Sequence, residues 1–554
     1  MVRFSVAVVA MIGVIAGCGA SRPALVAPSA EPPPPLWGGL RAGPYDIGFR
    51  HVVVFDRSRV FGRLPDGEGP PRAAAKTVRP VLIAMWYPAD VASRATPRMR
   101  YCDYIDWPLR DTPAADLAED VAAYERTELA AETLGVEPDR ELAPAQAREL
   151  EGLLATEMAG RPLAKPAAGK FPLVIYAPGA LGSPVENFLL CEFLASHGYV
   201  VAAGSFLSER GISFGHQSET QDALLDVHLI ISTMAGFADV DARRLALIGH
   251  SAGAQDSLQF AVGNPAIDAV VSLDTTWDYP ANRQQLFADS PALRRFQEGA
   301  ASAAVPVLAF AHKGADYAPF AGMTHAARVY VTVDDLVHDE FTAHGAVGAS
   351  HQPRDAGAPP SALVRAQYEV VCQYVRQFFD AALGGRAEAK AFLARAPAEA
   401  VPGVEGIHVE RHEGAPRPPT LHDLLELAIG GGGAAAVERC SRQAASEPCP
   451  EGWTATIADV LLQRRRFAPA IAMLEADLQR RPTAVDSALL LGDAHRARGD
   501  REAARRAYRE VLRRAPDKPI EELTSFAEMR VAAWRQRAKH ALAELDRESG
   551  VPPH

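Results

Sequence analysis

The stretch Leu245-Ala246-Leu247-Ile248-Gly249-His250-Ser251-Ala252-Gly253-Ala254 decides how this chain is to be read. Four consecutive apolar residues, too few for an ordinary helix, read as a buried strand. A Gly-x-Ser-x-Gly run follows at once, and Gln255 to Ala261 continues as a helix-compatible stretch. Strand, glycine-flanked serine, helix is the signature of a sharp turn in which glycines make room and the serine hydroxyl projects above a sheet. A serine hydroxyl is a weak nucleophile unless a base removes its proton, so this reading requires a histidine and an acid downstream.

Outward from the turn, short apolar runs alternate with helical segments. Val52-Val53-Val54, Val81 to Pro88, Phe171 to Tyr176 and Tyr199 to Ala203 read as strands before it; Ala269 to Leu273, Pro306 to Phe310 and Val329 to Thr332 read as strands after it. Helices are expected over Phe188 to His197, over 219–235 and from Val364 to Leu383. This alternation predicts an α/β fold with a doubly wound, mostly parallel sheet spanning residues 41–395. The Ala-, Glu- and Leu-rich residues 110–162 enter it as a helical insertion, either packed on the sheet or lying over the serine as a lid. Residues 396–416 read as a linker.

The base is expected after the final strand, where Val329 to Thr332 leads into Asp334-Asp335-Leu336-Val337-His338. His338 fits that slot, whereas His325, His344 and His351 fall outside the strand-to-helix turn and read as surface residues. Two acids compete: Asp274, at the end of Ala269 to Leu273, and Asp316, in His312-Lys313-Gly314-Ala315-Asp316 after the next strand. An oxyanion formed at Ser251 needs two backbone N–H donors. Ala252 would supply one, and Ala180, in the loop after Phe171 to Tyr176, the other.

Several motifs recur in one order: Trp86-Tyr87-Pro88-Ala89, Tyr176-Ala177-Pro178-Gly179-Ala180, Ala195-Ser196-His197-Gly198-Tyr199-Val200-Val201-Ala202, the serine turn and Ser272-Leu273-Asp274-Thr275-Thr276-Trp277. Together they resemble the platelet-activating factor acetylhydrolase (dienelactone hydrolase-like) branch of the α/β-hydrolases, over about residues 45 to 385. The resemblance implies a cofactor-free serine hydrolase that cleaves carboxylic esters through an acyl-enzyme, with Asp274 rather than Asp316 as the acid. It suggests small esters, or phospholipids bearing a short or oxidised acyl chain, as substrates; a peptidase or amidase of the same fold is the alternative. Two departures stand out. Pro178-Gly179 occupies the place of a common His-Gly, and Ala254 replaces a frequent second glycine after Gly253.

The ends of the chain carry other signals. Arg3 and the apolar run Phe4 to Ala16, short for a membrane span, lead into Ile15-Ala16-Gly17-Cys18, which resembles a bacterial lipobox. It implies a signal peptide over 1–17, a lipid anchor on Cys18 and a place in the cell envelope, on its periplasmic or extracellular face. Residues 18–40, with Pro32-Pro33-Pro34-Pro35, read as a stiff tether. Beyond 417 strands vanish and a 34-residue period emerges: Ala436, Ala470 and Ala504 share one slot, Cys440, Leu474 and Tyr508 the next, Pro448, Pro482 and Pro516 the last. This resembles tetratricopeptide repeats, an all-α array over 417–550 capped by a helix over 520–547, with a protein or peptide as partner. On that basis a second reading makes the repeats the functional part and the hydrolase domain an idle platform.

Cys440 and Cys449 are candidates for a disulfide, and the other cysteines for buried small hydrophobes. With 57 basic against 68 acidic residues and a net charge of -11, the chain is a poor nucleic-acid binder. His216, Asp222, Asp226 and His228 lack metal-ligand spacing, and no phosphate-cradling glycine loop is present, so no metal or cofactor is expected.

Overall fold

The computed structural model describes residues 32–61, 77–137, 140–205, 222–352, 358–415, 419, 421–430, 432–442, 452–518, 522 and 525–548. The chain forms two compact units, residues 1–415 and 416–554. Among the described residues the first carries ten strands: β1 (Asp46–Phe61), β2 (Thr77–Ala89), β3 (Gly160–Pro162), β4 (Phe171–Ala177), β5 (Val200–Gly204), β6 (Val240–His250), β7 (Ala269–Leu273), β8 (Val307–His312), β9 (Arg328–Val333) and β10 (Ile407–His412). Their order across the sheet is β10-β9-β8-β7-β6-β4-β5-β2-β1-β3. Strands β4 to β9 run parallel, whereas β10 is antiparallel to β9, and β2 is antiparallel to both β5 and β1.

Every residue of β4, β5 and β7 is buried, which is why these strands read as unbroken apolar runs rather than alternating ones. Their side chains divide between two cores: Val174 and Tyr176 join one, Leu173 and Ile175 the other. Helices α1 (Ala118–Leu134), α2 (Pro144–Leu154), α3 (Phe188–Ser196) and α7 (Ser361–Ala382) cover the first face. Helices α4 (Asp222–Met234), α5 (Ser251–Gly263) and α6 (Pro291–Ala300) cover the second. From β4 the chain steps outward to β5, then returns to place β6 on the other side of β4. The reversal opens a crevice at the carboxyl ends of β4 and β6, the usual place for a site in an open α/β sheet.

Three boundaries differ from the sequence reading. Residues 396–416 are no mere linker, because Ile407 to His412 pairs with β9 as an edge strand and the first unit runs to Ala415. Ile407 is buried and Val409 half-buried, while the alternating His408 and Glu410 face water. The end of the supposed tether belongs to the body: Trp37 and Leu40 are buried, and the Trp37 indole donates to Glu192 at 2.6 Å. The insertion is helical, but its final residues Gly160–Pro162 form β3, parallel to β1.

The described part of the second unit is a series of helix pairs in contact, α8 (Leu421–Gly430) with α9 (Gly433–Ser441), α10 (Trp453–Gln463) with α11 (Phe467–Arg480), and α12 (Val485–Arg498) with α13 (Arg501–Arg514), followed by α14 (Phe526–Glu548). Ala436, Ala470 and Ala504 are fully buried in the second helix of each pair. A Cβ on Gly492 would strike the Tyr508 ring, so a small residue is needed where α12 crosses α13. Pro482 and Pro516 follow the ends of α11 and α13; Pro448 lies outside the described residues. Ala538 and Leu545 of α14 are buried against Tyr508 and Val511, closing the last pair.

Candidate functional site

Strand β6 ends at His250 and α5 begins at Ser251, whose φ of +52° lies in the left-handed region. A side chain there costs on the order of 1–2 kcal/mol, a strain that persists only when the surroundings fix it. They do. A Cβ on Gly249 would collide with the Gly253 carbonyl, and one on Gly253 with the carbonyls of Ala177 and Pro178. Ala254, the departure noted above, is fully buried with its methyl in the core.

Two distant segments converge on Ser251. His338 opens a short 3-10 turn after β9, and its Nε2 lies 2.9 Å from Ser251 Oγ. Its Nδ1 lies 2.5 Å from Asp274 Oδ2, at the end of β7. Asp274 is fully buried, with a φ of +46°, while the His338 ring is about a third exposed. Burial alone would push the Asp274 carboxyl up. Hydrogen bonds from His312, His338 and Tyr279 outweigh it and hold the group well below the usual carboxylate range. Asp316, the rival acid, is turned away: it pairs with Arg283 at 2.5 Å and accepts from the Ala318 N–H.

Two partners of Asp274 escaped the sequence reading. Tyr279 donates its hydroxyl to Oδ1, and the His312 N–H donates to the same oxygen at 2.9 Å. His312 Nδ1 lies 2.5 Å from the Tyr279 hydroxyl and 3.2 Å from Asp274 Oδ1. The signal was present in the strand register: Leu273 pairs with Phe310, which brings the residues just beyond them side by side at the ends of β7 and β8.

Across the crevice, Gly179 to Gly182 form a turn closed by a 3.0 Å bond from the Gly182 N–H to the Gly179 carbonyl. This loop packs directly on the serine, since a Cβ on Gly179 would lie 3.4 Å from Ser251 Cβ and 2.8 Å from His250 Nδ1. Glu186 anchors it by accepting from the Gly179 N–H at 3.0 Å and the Tyr176 hydroxyl at 2.6 Å. Pro178 therefore costs the loop no anchor. Ala180 sits exposed in this turn, and Ala252 in the first turn of α5, where N–H groups have no intrahelical partner and the helix end is positive.

Glu186 also reaches His250. The buried His250 ring lies 4.9 Å from that of His338, its Nε2 donates to the His338 carbonyl at 3.1 Å, and its Nδ1 stands 3.5 Å from Glu186, within ion-pair range. Burial would lower the pKa of this imidazole, but Glu186 outweighs burial and raises it to about 9, so His250 is cationic at neutral pH.

The insertion holds the same loop from above. From α1, the Tyr124 hydroxyl donates to the Leu181 carbonyl at 2.6 Å, Glu125 accepts from the Ser183 hydroxyl at 2.5 Å, and Glu128 accepts from the Ser183 N–H at 3.4 Å. Helix α1 is thus fixed by packing and by these bonds. Glu128 also meets His344, which corrects the expectation of a surface histidine: His344 is fully buried, 3.2 Å from Glu128 and 2.5 Å from the Tyr101 hydroxyl. It lies on a helix of small residues, Ala343–Gly348, that lets α1 approach closely. Burial pushes the Glu125 carboxyl up to about 8. His325 and His351 sit nearer the surface, as expected.

Among the described residues no cluster of His, Cys, Asp or Glu has a metal-binding arrangement, and Asp226 is spent on Arg59 and Arg79. Cys440 is disulfide-bonded; Cys449, Cys18 and His216 lie outside the described residues. Cys191 and Cys372 are buried free thiols, and Cys102 is a half-buried one.

No family model matches the chain, and no curated protein does. Among solved structures, it is similar to a ferulic acid esterase from Streptomyces cinnamoneus, at 19% identity and a TM-score of 0.43, over 66% of this chain and 96% of that one.

Proposed function

We propose that the first unit is a serine hydrolase that cleaves carboxylic esters through an acyl-enzyme, as an α/β-hydrolase. The observation that carries this reading is the unbroken line from Ser251 Oγ through His338 to the buried Asp274 carboxylate, at distances of 2.9 and 2.5 Å. As Ser251 attacks the ester carbonyl carbon, its proton passes to His338 Nε2. Asp274 holds the proton on Nδ1 and stabilises the imidazolium. The N–H groups of Ala252 and Ala180 bind the oxyanion, and its collapse expels the alcohol, which takes the proton from His338. Water then attacks the acyl group by the same steps in reverse, freeing the acid and restoring Ser251.

A fluorophosphonate probe tests this. It should label the wild-type protein and fail to label Ser251→Ala; a folded wild type that stays unlabelled overturns the proposal and favours a binding role for the helical repeats. The lipobox-like run supports a lipid anchor on Cys18, which would put the hydrolase beside lipid and suit phospholipids with short or oxidised acyl chains. The 34-residue spacing of buried alanines supports a tetratricopeptide-like array that takes a peptide or protein partner.

A further inference from the structure

Leu181 is the third residue of the turn Gly179 to Gly182, and its φ is +66°. With φ positive at Leu181 but not at Ala180, the turn has the form of type II, a geometry that calls for glycine or asparagine at this position. A leucine held there is strained. Its neighbours allow no relief: the Tyr124 hydroxyl grips its carbonyl, and a Cβ on Gly182 would strike the Glu186 carboxylate. Burial does not repay the strain either, because Leu181 is 59% exposed. Val337, immediately before His338, is 58% exposed. One apolar side chain thus stands on the loop packed against Ser251, and another on the loop that carries its hydrogen-bond partner.

We propose that Leu181 is a specificity-determining residue and that, together with Val337 on the loop that carries His338, it contacts an apolar arm of the substrate next to the ester bond. This rests on the ester-hydrolase reading and narrows it to esters with an alkyl chain or aryl ring at the carbonyl or on the alcohol. Strain and exposure also coincide at another leucine, Leu163 behind the outer edge strand β3, where φ is +50° and exposure 77%. That residue lies at the far side of the sheet from Ser251 and provides the control.

The experiment compares kcat/KM for p-nitrophenyl acetate, butyrate and octanoate, which varies the acyl arm, and for ethyl and 1-naphthyl acetate, which varies the alcohol. In Leu181→Gly the preference for the larger arm should fall about tenfold in one of the two series, as loss of a few methylene contacts does. Its Tm should rise by about 1–3 °C as the strain is relieved. Leu181→Asn should behave alike, and Val337→Ala should lower the preference in the same series. Leu163→Gly should raise Tm and leave both preferences unchanged. A labelled, active enzyme whose preferences survive Leu181→Gly and Leu181→Asn overturns this proposal alone; a wild type that neither labels nor turns over any ester overturns the hydrolase reading and this proposal with it.

Discussion

Tyr279 and His312 stack face to face, ring centroids 4.4 Å apart at 25°, and both reach the Asp274 carboxylate, Tyr279 at Oδ1 and the His312 ring at 3.2 Å from Oδ1 and 3.3 Å from Oδ2. Asp274 therefore meets His338 through Oδ2, while Oδ1 takes the Tyr279 hydroxyl and the His312 N–H. Tyr279→Phe should remove about 1.5–3 kcal/mol, the worth of a hydrogen bond to a charged group. The depressed carboxyl contributes stability above its ordinary pKa that is lost as pH falls through the folded value. Without Tyr279 that folded value rises toward the ordinary one, so the variant has less of this stability to lose and should fall by less than wild type as the pH drops. Urea unfolding at pH 3 to 7 checks this; parallel curves for variant and wild type would show that Tyr279 does not support the carboxylate.

Asp274→Asn should lower kcat by on the order of 10³–10⁴-fold, because the amide would favour the wrong imidazole tautomer. Asp316→Asn should leave kcat/KM within a factor of about two, since it breaks only a partly exposed ion pair with Arg283. Ester turnover by both variants decides between the acids, and full activity in Asp274→Asn would remove it from the mechanism.

The Glu186–His250 pair predicts loss of stability in alkali. His250 is raised from 6.5 to about 9, so its contribution is complete below pH 6.5 and disappears as pH climbs through 9. Glu186→Gln, which retains an acceptor but no charge, should flatten the fall in Tm between pH 7 and 10. Equal slopes in variant and wild type would refute the pairing.

Glu125 acts in the same direction from another cause. Its carboxyl is raised from 4.5 to about 8 by burial, so the folded state holds its proton and loses stability as pH rises toward 8. Glu125→Gln keeps the amide-sized contact to Ser183 without the ionisation and should stabilise the protein by about 2–4 kcal/mol at pH 9, with little change at pH 4. Chemical denaturation at the two pH values measures the difference.

The central strands and the serine turn were legible because burial on both faces writes itself as unbroken apolar runs, and because Gly249 and Gly253 are steric requirements visible as letters. His338 was legible from its place after the last parallel strand. Less could be read where the pattern is broken by inward-facing polar groups: α1 buries Glu125, Glu128 and Thr133 beside Val121 and Leu129, so its sequence hides which face meets the loop. His344 was misjudged for the same reason. Tyr279 and His312 depend on the register between β7 and β8, which no single strand encodes. Strand β10 reads as linker in the sequence because an edge strand with one solvated face carries His408, Glu410, Arg411 and His412 among two apolar residues.

That edge strand has a practical consequence for anyone who wishes to isolate the first unit. Removing everything after residue 395 would strip β9 of its antiparallel neighbour along its full length, Arg328 to Val333, and leave a row of bare backbone donors and acceptors ready to pair with another molecule. The Ala415 N–H still bonds the Thr324 carbonyl at 2.9 Å, so the last useful residue is Ala415. A fragment ended there should be monomeric and soluble, whereas one ended at 395 should recover as aggregate.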